Sequence, residues 1–394
     1  MRVTVVPRTA DPSAADPYPG RGAALDYPGW APRCVVGAEA PGGLLLPPAQ
    51  PTEAWLYAPR GVTLGDDVLV VADSGNHRVM IWHGIPRTDG TPADVVLGQP
   101  DPHTEGPAAG GRGPANGMHL PTGVLLDRGR LVVADAWHHR LLVWDRLPTS
   151  HATPPDQVIG QPDPESVEPN AGAEPDATSF YWPFGIALID GYFYVADTGN
   201  RRVLVWHGGV PEPGRPADVV LGQPDAHARE ENRGGPVAAD SFRWPHDFAA
   251  TGAGGVVIAD AGNHRLLRWD THPAGDCPAD AVLGQPDFTT GTEFPYVPQQ
   301  RRLRFPYAIA SAGTDLAIAD TANNRILLQG DHARSTELVP YLALAQPDLA
   351  ANGENRWDQV GADTLCWPYG LDRRGDLLAV ADSGNNRVVL WERS

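Results

Sequence analysis

Short apolar runs of about five to seven residues alternate with turns rich in Gly, Pro, Asp and Asn along the whole chain. In one representative stretch the runs are Phe184–Ile189, Tyr192–Ala196, Arg201–His207 and Ala217–Leu221, with a turn from Asp197 to Asn200. Runs of this length, rich in Val, Ile, Leu and aromatic residues, are typical of β-strands. No segment has the 3.6-residue period of a long helix, and one turn of helix inside a long loop stays open as an alternative. The pattern therefore predicts an all-β fold with four antiparallel strands in each unit.

The unit repeats six times. Its most regular element is Ala-Asp-x-x-Asn-x-Arg, whose Asp recurs at intervals of 62, 62, 63, 60 and 62 residues. A Gly-Gln-Pro-Asp element follows it at Gly98, Gly160, Gly222 and Gly284, with a variant at Ala345. A proline, called here the opening proline, precedes the first strand of each unit at Pro59, Pro121, Pro183, Pro245, Pro306 and Pro368. Four short strands per repeat predict the blade of a β-propeller, so the chain is expected to form six blades.

The two ends of the chain are predicted to share one blade. The sixth unit stops after Trp391 without a fourth strand, whereas Cys34–Gly37 lies 61 residues before Gly98, in register with the other glycines. We expect this N-terminal strand to close the last blade, which removes an open sheet edge. The chain then divides into an N-terminal arm, residues 1–30, and a single propeller, residues 31–394.

Composition limits the classes of partner. The formal net charge is -18 and the sequence contains no lysine, so binding to nucleic acid is disfavoured. No apolar stretch is long enough to span a membrane, and the three cysteines are too few and too far apart for a disulfide framework or a zinc knuckle. We expect an acidic, cytoplasmic monomer that binds neither nucleic acid nor membrane.

Charged residues that recur in every unit are interpreted as structural. The repeated acids are Asp73, Asp135, Asp197, Asp260, Asp320 and Asp382, and the repeated bases are Arg78, Arg140, Arg202, Arg265, Arg325 and Arg387. Each Asp can accept hydrogen bonds from its turn, and each Arg can reach a carboxylate. A residue present in every blade supports every blade, so function is sought where the copies differ.

The copies differ most at the residue after the opening proline, which is predicted to lie at the mouth of the central channel. Turns and inter-blade loops should share that face of the propeller, and long loops on a rigid scaffold commonly carry binding sites. The next residue is Gly in four copies but Asp247 in the fourth and Ala308 in the fifth. The second turn reads Trp137-His138 where four of the other five have Gly-Asn. The predicted ligand- or partner-binding residues are Arg60, Trp137, His138, Phe184, His246, Asp247, Tyr307 and Tyr369. Aromatic residues and Arg are those that protein interfaces prefer.

Enzymatic alternatives stay open. A catalytic zinc site needs three converging protein ligands and an open coordination position. The first candidates for its ligands are His246, His138 and His264, and the second candidates are His77 and Asp247. Calcium on the channel axis could use Asp247 and Asp372. No Gly-x-Ser-x-Gly element is present, and no catalytic residue is assigned. No cofactor is expected, with calcium or zinc as the alternative, and the identity of any metal is left unknown.

The segment Asp-Ser-Gly-Asn-His-Arg at Asp73–Arg78, with its five relatives, resembles the NHL repeat. The Gly-Gln-Pro-Asp elements and long inter-blade loops resemble a bacterial subgroup of such proteins. The resemblance implies a propeller of a kind that includes protein- and RNA-binding modules, whereas related six-bladed propellers include lyases and lactonases that use metal. It also suggests an accessory factor of a larger metalloenzyme assembly, such as a hydrogenase system.

From the residues and the resemblance together we expect a non-enzymatic binding scaffold that presents its loop-rich aromatic face to a protein partner or small ligand. The alternative is a zinc- or calcium-dependent hydrolase or lyase with its site at the channel mouth.

Overall fold

The computed structural model describes residues 25–37, 50–294 and 300–394. Within these residues the strands form six antiparallel sheets of four strands each. The innermost strand of every sheet contacts the innermost strand of the next sheet, and the sixth contacts the first, so the sheets close into a ring. The predicted all-β, six-bladed propeller is confirmed.

The blades are numbered in chain order. Blade 1 contains β2 (Gly61–Leu64), β3 (Leu69–Asp73), β4 (Arg78–Trp82) and β5 (Val95–Leu97). Blade 2 contains β6 (Val124–Asp127), β7 (Arg130–Asp135), β8 (Arg140–Trp144) and β9 (Gln157–Ile159). Blade 3 contains β10 (Pro183–Ile189), β11 (Tyr192–Asp197), β12 (Arg202–His207) and β13 (Val219–Leu221). Blade 4 contains β14 (Pro245–Ala250), β15 (Val256–Asp260), β16 (Arg265–Trp269) and β17 (Ala281–Leu283). Blade 5 contains β18 (Pro306–Ala312), β19 (Asp315–Asp320), β20 (Arg325–Gln329) and β21 (Leu342–Leu344). Blade 6 contains β22 (Pro368–Arg374), β23 (Leu377–Asp382), β24 (Arg387–Arg393) and β1 (Trp30–Gly37).

A one-turn 3-10 helix joins the second and third strands of each blade. These helices are Ser74–Asn76, Ala136–His138, Thr198–Asn200, Ala261–Asn263, Thr321–Asn323 and Ser383–Asn385. Further short helical segments lie in the inter-blade loops at Pro107–Gly111, Pro114–Asn116, Pro169–Gly172, Glu231–Gly234 and Glu354–Trp357. The residue after each of the six turns has a positive φ of 52–58°, the left-handed conformation in which Asn and His are enriched.

The predicted closure of the ring is confirmed. Strand β1 pairs with β24 from Trp30 opposite Arg393 to Gly37 opposite Arg387. The strand begins four residues before Cys34, where the sequence pattern placed it, and a bulge lies between Pro32 and Cys34. Residues 1–24 of the predicted arm lie outside the described residues.

A buried ion pair holds the same place in each blade. The Asp at the end of the second strand meets the Arg that opens the third strand at 2.6–2.8 Å, and both side chains are buried. In blade 1 the Arg78 guanidinium also donates to the carbonyl oxygens of Thr52, Trp55 and Pro102. In blades 1 to 5 each Arg therefore ties the loop before its blade to the loop after it, and these loops carry the face described next.

Candidate functional site

Aromatic and charged side chains surround one mouth of the central channel in a continuous arc. The ring of Phe184 lies 4.3 Å from that of His246, His246 lies 4.4 Å from Tyr307, and Tyr307 lies 4.6 Å from Tyr369, measured between ring centroids. The Arg60 guanidinium lies 5.2 Å from the centroid of the Tyr369 ring. The residues that follow the opening prolines are thus brought together as predicted, and we call these five the mouth arc.

Thr122 holds the equivalent position in blade 2, between Arg60 of blade 1 and Phe184 of blade 3. Its hydroxyl donates to the main-chain oxygen of Phe184 at 2.9 Å, and the side chain is fully buried. It is the one residue after an opening proline that turns its polar atom into the backbone of the next blade instead of the channel mouth.

The structural Asp residues position the arc. In each blade one carboxylate oxygen of the Asp accepts the backbone N–H of the residue two before the opening proline, at 2.6–2.9 Å. The residue directly before the opening proline has a positive φ in five blades, for example 52° at Trp182 and 51° at Trp367. The proline then fixes φ and starts the strand. The same contacts show that turns and inter-blade loops share this face of the propeller.

Close backbone contact between blades explains the glycine that usually follows the arc residue. A Cβ atom at Gly185 would lie 2.0 Å from the carbonyl oxygen of His246 in the next blade, so only glycine fits. Blade 4 carries Asp247 at this position. Its carboxylate accepts the backbone N–H of Ile309 in blade 5 at 2.9 Å, so a polar side chain bridges the two innermost strands there.

The channel beneath the arc is a cavity of about 260 Å³ that is lined by all six innermost strands. Two carboxylates face it, Asp247 and Asp372. Asp372 accepts the N–H of Leu64 at 2.7 Å and the hydroxyl of Thr63 at 3.1 Å. Burial raises the pKa of Asp372, and burial together with the Asp372 charge raises the pKa of Asp247 to about 7. The channel therefore contains a carboxyl group that can hold a proton near neutral pH.

His246 is neutral at physiological pH. Its Nδ1 lies 3.0 Å from the carbonyl oxygen of Trp244, so Nδ1 carries the hydrogen and donates it. Burial lowers the pKa of His246 to about 4, and the Arg60 charge adds to that effect. Nε2 is then left as a hydrogen-bond acceptor at the channel mouth.

Arg60 is the charged group of the arc. Among the described residues no carboxylate lies within ion-pair distance of it, and its guanidinium is flanked by Tyr369 and, at 5.8 Å, Trp137. Cation–π contacts of this kind hold a guanidinium in place while leaving its N–H groups available. The mouth can therefore receive an anionic or carbonyl-bearing group.

Further aromatic residues extend the arc outward. Trp137 lies 5.4 Å from Trp182, and Trp244 stacks on Phe305 at 6.2 Å. Trp182 and Trp367 are 36% and 41% exposed, which is high for tryptophan. The predicted residue Trp137 thus joins the mouth arc to an exposed aromatic surface.

His138 has a different position from the other predicted site residues. It is buried, and its Nδ1 lies 2.9 Å from the Asp135 carboxylate, in the place that Asn takes in the other five turns. It does not line the channel cavity. The histidines considered for zinc are engaged separately, since His264 Nδ1 accepts the N–H of Phe305 and His77 Nδ1 accepts the N–H of Leu120. Among residues 25–37, 50–294 and 300–394 no three His, Cys, Asp or Glu side chains are grouped to hold a metal ion.

Two ring residues of this face were missed in the sequence. His119 lies 5.1 Å from His77 and 5.5 Å from His138, and Tyr181 lies 4.5 Å from Trp182. Both occupy the variable position two before the opening proline, and comparison of the six copies at that position would have found them.

Comparison with known proteins finds the NHL repeat at two places in the chain. The NHL repeat family model matches residues 56–82 and 242–269, which cover the same part of blades 1 and 4, from the third residue before the opening proline to the tryptophan of the third strand. No curated protein matches the sequence significantly. No helix in the described ranges is long and apolar enough to cross a bilayer.

Solved structures with similar folds have low sequence identity. A catalytically inactive virginiamycin B lyase from Staphylococcus aureus, solved with quinupristin, is 11% identical over 90% of this chain and 99% of its own, with a TM-score of 0.47. The WD40 β-propeller domain of Doa1 is 10% identical over 93% and 98%, with a TM-score of 0.46. A chain of a nidogen/laminin complex is 15% identical over 84% and 87%, with a TM-score of 0.45. The repeat match and the ring of six sheets agree: the chain is a six-bladed β-propeller that carries NHL repeats.

Proposed function

We propose that this protein is a non-enzymatic binding scaffold whose channel-mouth face holds a protein partner or a small ligand. The observation that carries the proposal is the mouth arc above a cavity of about 260 Å³. The arc has four neighbouring rings and the Arg60 guanidinium, which has no carboxylate partner among the described residues. Clustered aromatic residues with Arg at the centre of a rigid surface are the composition of binding hot spots.

The charge distribution narrows the class of ligand. Arg60 offers a cation at the mouth, whereas Asp247 and Asp372 face the channel below it. A ligand with an acidic group at the mouth and an apolar or aromatic body against Tyr307 and Tyr369 fits both features. In a protein partner the acidic group would be a side-chain carboxylate or a chain terminus.

The rigid frame below the arc supports a binding role. Each arc residue follows a loop that is fixed by a buried Asp–Arg pair, so little conformational entropy remains to be lost on binding. The neutral state of His246 adds a hydrogen-bond acceptor without adding a charge.

Site-specific photo-crosslinking tests the proposal. A photoreactive phenylalanine analogue replaces Phe184 at the arc end of β10 or, as the matched control, Asp190, which is exposed in the turn directly after the other end of the same strand. After irradiation in an extract of the source organism, we expect a discrete cross-linked product from position 184 and none from position 190. The product should be lost when Arg60→Glu is added.

Equal labelling from both positions would contradict the proposal, and so would a product from position 184 that persists in Arg60→Glu. A small ligand that escapes cross-linking is detected by native mass spectrometry of the protein purified from its source. Absence of both a cross-link and a bound ligand would also overturn the proposal.

A further inference from the structure

A second cavity of about 260 Å³ lies on the outer side of the propeller, between blades 1 and 2. Its floor is formed by Met118, Leu142 and Trp144, which are only 1–3% exposed. Its rim includes the exposed residues Asn116 and Arg112. The cavity is thus closed and apolar below, and open and polar at the edge.

The equivalent space between blades 5 and 6 is filled by the protein itself. The sixfold repeat gives the counterparts of Gly98, Asn116, Met118, Leu142, Trp144 and Val158 as Ala345, Asp363, Leu365, Val389, Trp391 and Val35. Tyr27 packs among these residues and is 4% exposed. Its ring meets Trp391 edge-on at 5.3 Å, and its hydroxyl donates to the main-chain oxygen of Asp363 at 3.2 Å.

Blades 3 and 4 fill this space in another way. The counterparts of Met118 there are Phe180 and Phe242, whose rings lie 6.2 Å from Trp206 and Trp269. Blade 2 has the slimmer Met118 in this position and, among the described residues, no aromatic side chain entering from outside. The cavity is therefore lined by the counterparts of the residues that surround Tyr27, but no described aromatic side chain fills it.

We propose that the cavity between blades 1 and 2 binds the tyrosine side chain of a polypeptide segment that enters as Tyr27 does in blade 6. The segment has an acidic residue beside the tyrosine, because no carboxylate among the described residues pairs with Arg112 at the rim, and Asp26 precedes Tyr27 in the chain's own version. This site is separate from the mouth arc and does not depend on its function.

Calorimetric titration of the full chain tests the proposal, with p-cresol and a peptide of sequence Leu-Asp-Tyr-Pro-Gly-Trp as probes. Since the chain has a second Tyr-Pro-Gly at Tyr18–Gly20, the titration uses a Tyr18→Ala background so that this segment cannot compete. We expect one binding site for each probe and none for the peptide with Ala in place of its tyrosine. Met118→Phe should weaken binding at least about tenfold without lowering the melting temperature, because Phe fits this position in blades 3 and 4.

Tyr27→Ala provides the matched gain of function. Removal of the Tyr27 ring should leave the equivalent space between blades 5 and 6 empty. We therefore expect p-cresol to bind this variant at two sites and to raise its melting temperature. Two results would overturn the proposal whether or not Tyr27→Ala folds. The first is that neither probe gives a heat of binding with the protein that retains Met118. The second is that Met118→Phe binds the probes as tightly as that protein does. Binding of p-cresol without binding of the peptide would also overturn it, since the occupant would then be a small phenol.

Discussion

Replacement of Asp247 by Asn should stabilise the protein at neutral and alkaline pH. In the unfolded chain this carboxyl ionises near its ordinary pKa of 3.8, whereas in the folded protein burial raises its pKa to about 7. Between these values the folded state holds a proton that the unfolded state has released. Unfolding then releases a proton, so the contribution of Asp247 to stability falls as pH rises from about 4 to about 7 and is constant above that.

The size of the effect follows from the pKa difference. At about 1.4 kcal/mol for each pKa unit, a rise from 3.8 to about 7 corresponds to roughly 4 kcal/mol. Because the carboxylate faces the channel and solvent there screens its charge, we expect about half of this, roughly 2 kcal/mol. Asn keeps an oxygen that can accept the N–H of Ile309 and carries no charge, so the hydrogen bond between blades 4 and 5 is retained.

Urea unfolding at about pH 5 and about pH 8 measures the effect as a difference between variant and parent. We expect Asp247→Asn to gain more stability at the higher pH, with most of the change between about pH 5 and about pH 7. The exposed Asp358, changed to Asn in the same way, is the control and should show no such dependence. An Asp247→Asn variant that is less stable than the parent at about pH 8, or whose gain is equal at both pH values, would refute the reasoning.

Three further outcomes can be checked. Arg202→Ala should lower the free energy of unfolding by about 3–5 kcal/mol in chemical denaturation, because it leaves the buried Asp197 carboxylate without its cation; a loss below about 1 kcal/mol would show that the pair is dispensable. Val36→Asp places a charge in the closing sheet and should raise hydrogen exchange in β24 above that in β12, whereas equal exchange in both strands would contradict the closure. In an Asp247→Asn background, which removes the channel carboxyl with a pKa of about 7, cross-linking at the mouth arc should be constant between about pH 6 and about pH 8, because His246 has a pKa of about 4 and does not titrate there. A step in yield near pH 6.5 that disappears when His246→Gln is added would be evidence against this assignment.

The fold could be predicted because the chain contains its own alignment. Residues such as Asp197 and Arg202 recur at a nearly constant interval, and the register of Gly37 with the later glycines was enough to predict the shared last blade. The same repeat predicts that the residue after each opening proline lies at the channel mouth, since equivalent positions of a ring must meet around its axis.

Features that depend on tertiary contact could not be predicted. The unusual turn of His138 places it among the predicted binding residues, but only the structure shows its Nδ1 facing the Asp135 carboxylate. Tyr27 precedes the repeat and so falls in the predicted arm, and nothing local in the sequence links it to Trp391. The short helical segments of the inter-blade loops depend on backbone bonds such as that from Asn170 to Phe180, which no hydrophobic period encodes.

The shared last blade has a consequence for biosynthesis. Among the described strands β1 leaves the ribosome first and its partner β24 leaves last, and paired residues of the two strands are at least 350 positions apart. Until β24 has been synthesised, Trp30 and Val36 therefore lack the sheet that buries them in the folded protein. Five blades can assemble as they emerge, but the circle is completed only after synthesis of β24, so the final step is governed by the slow encounter of distant segments.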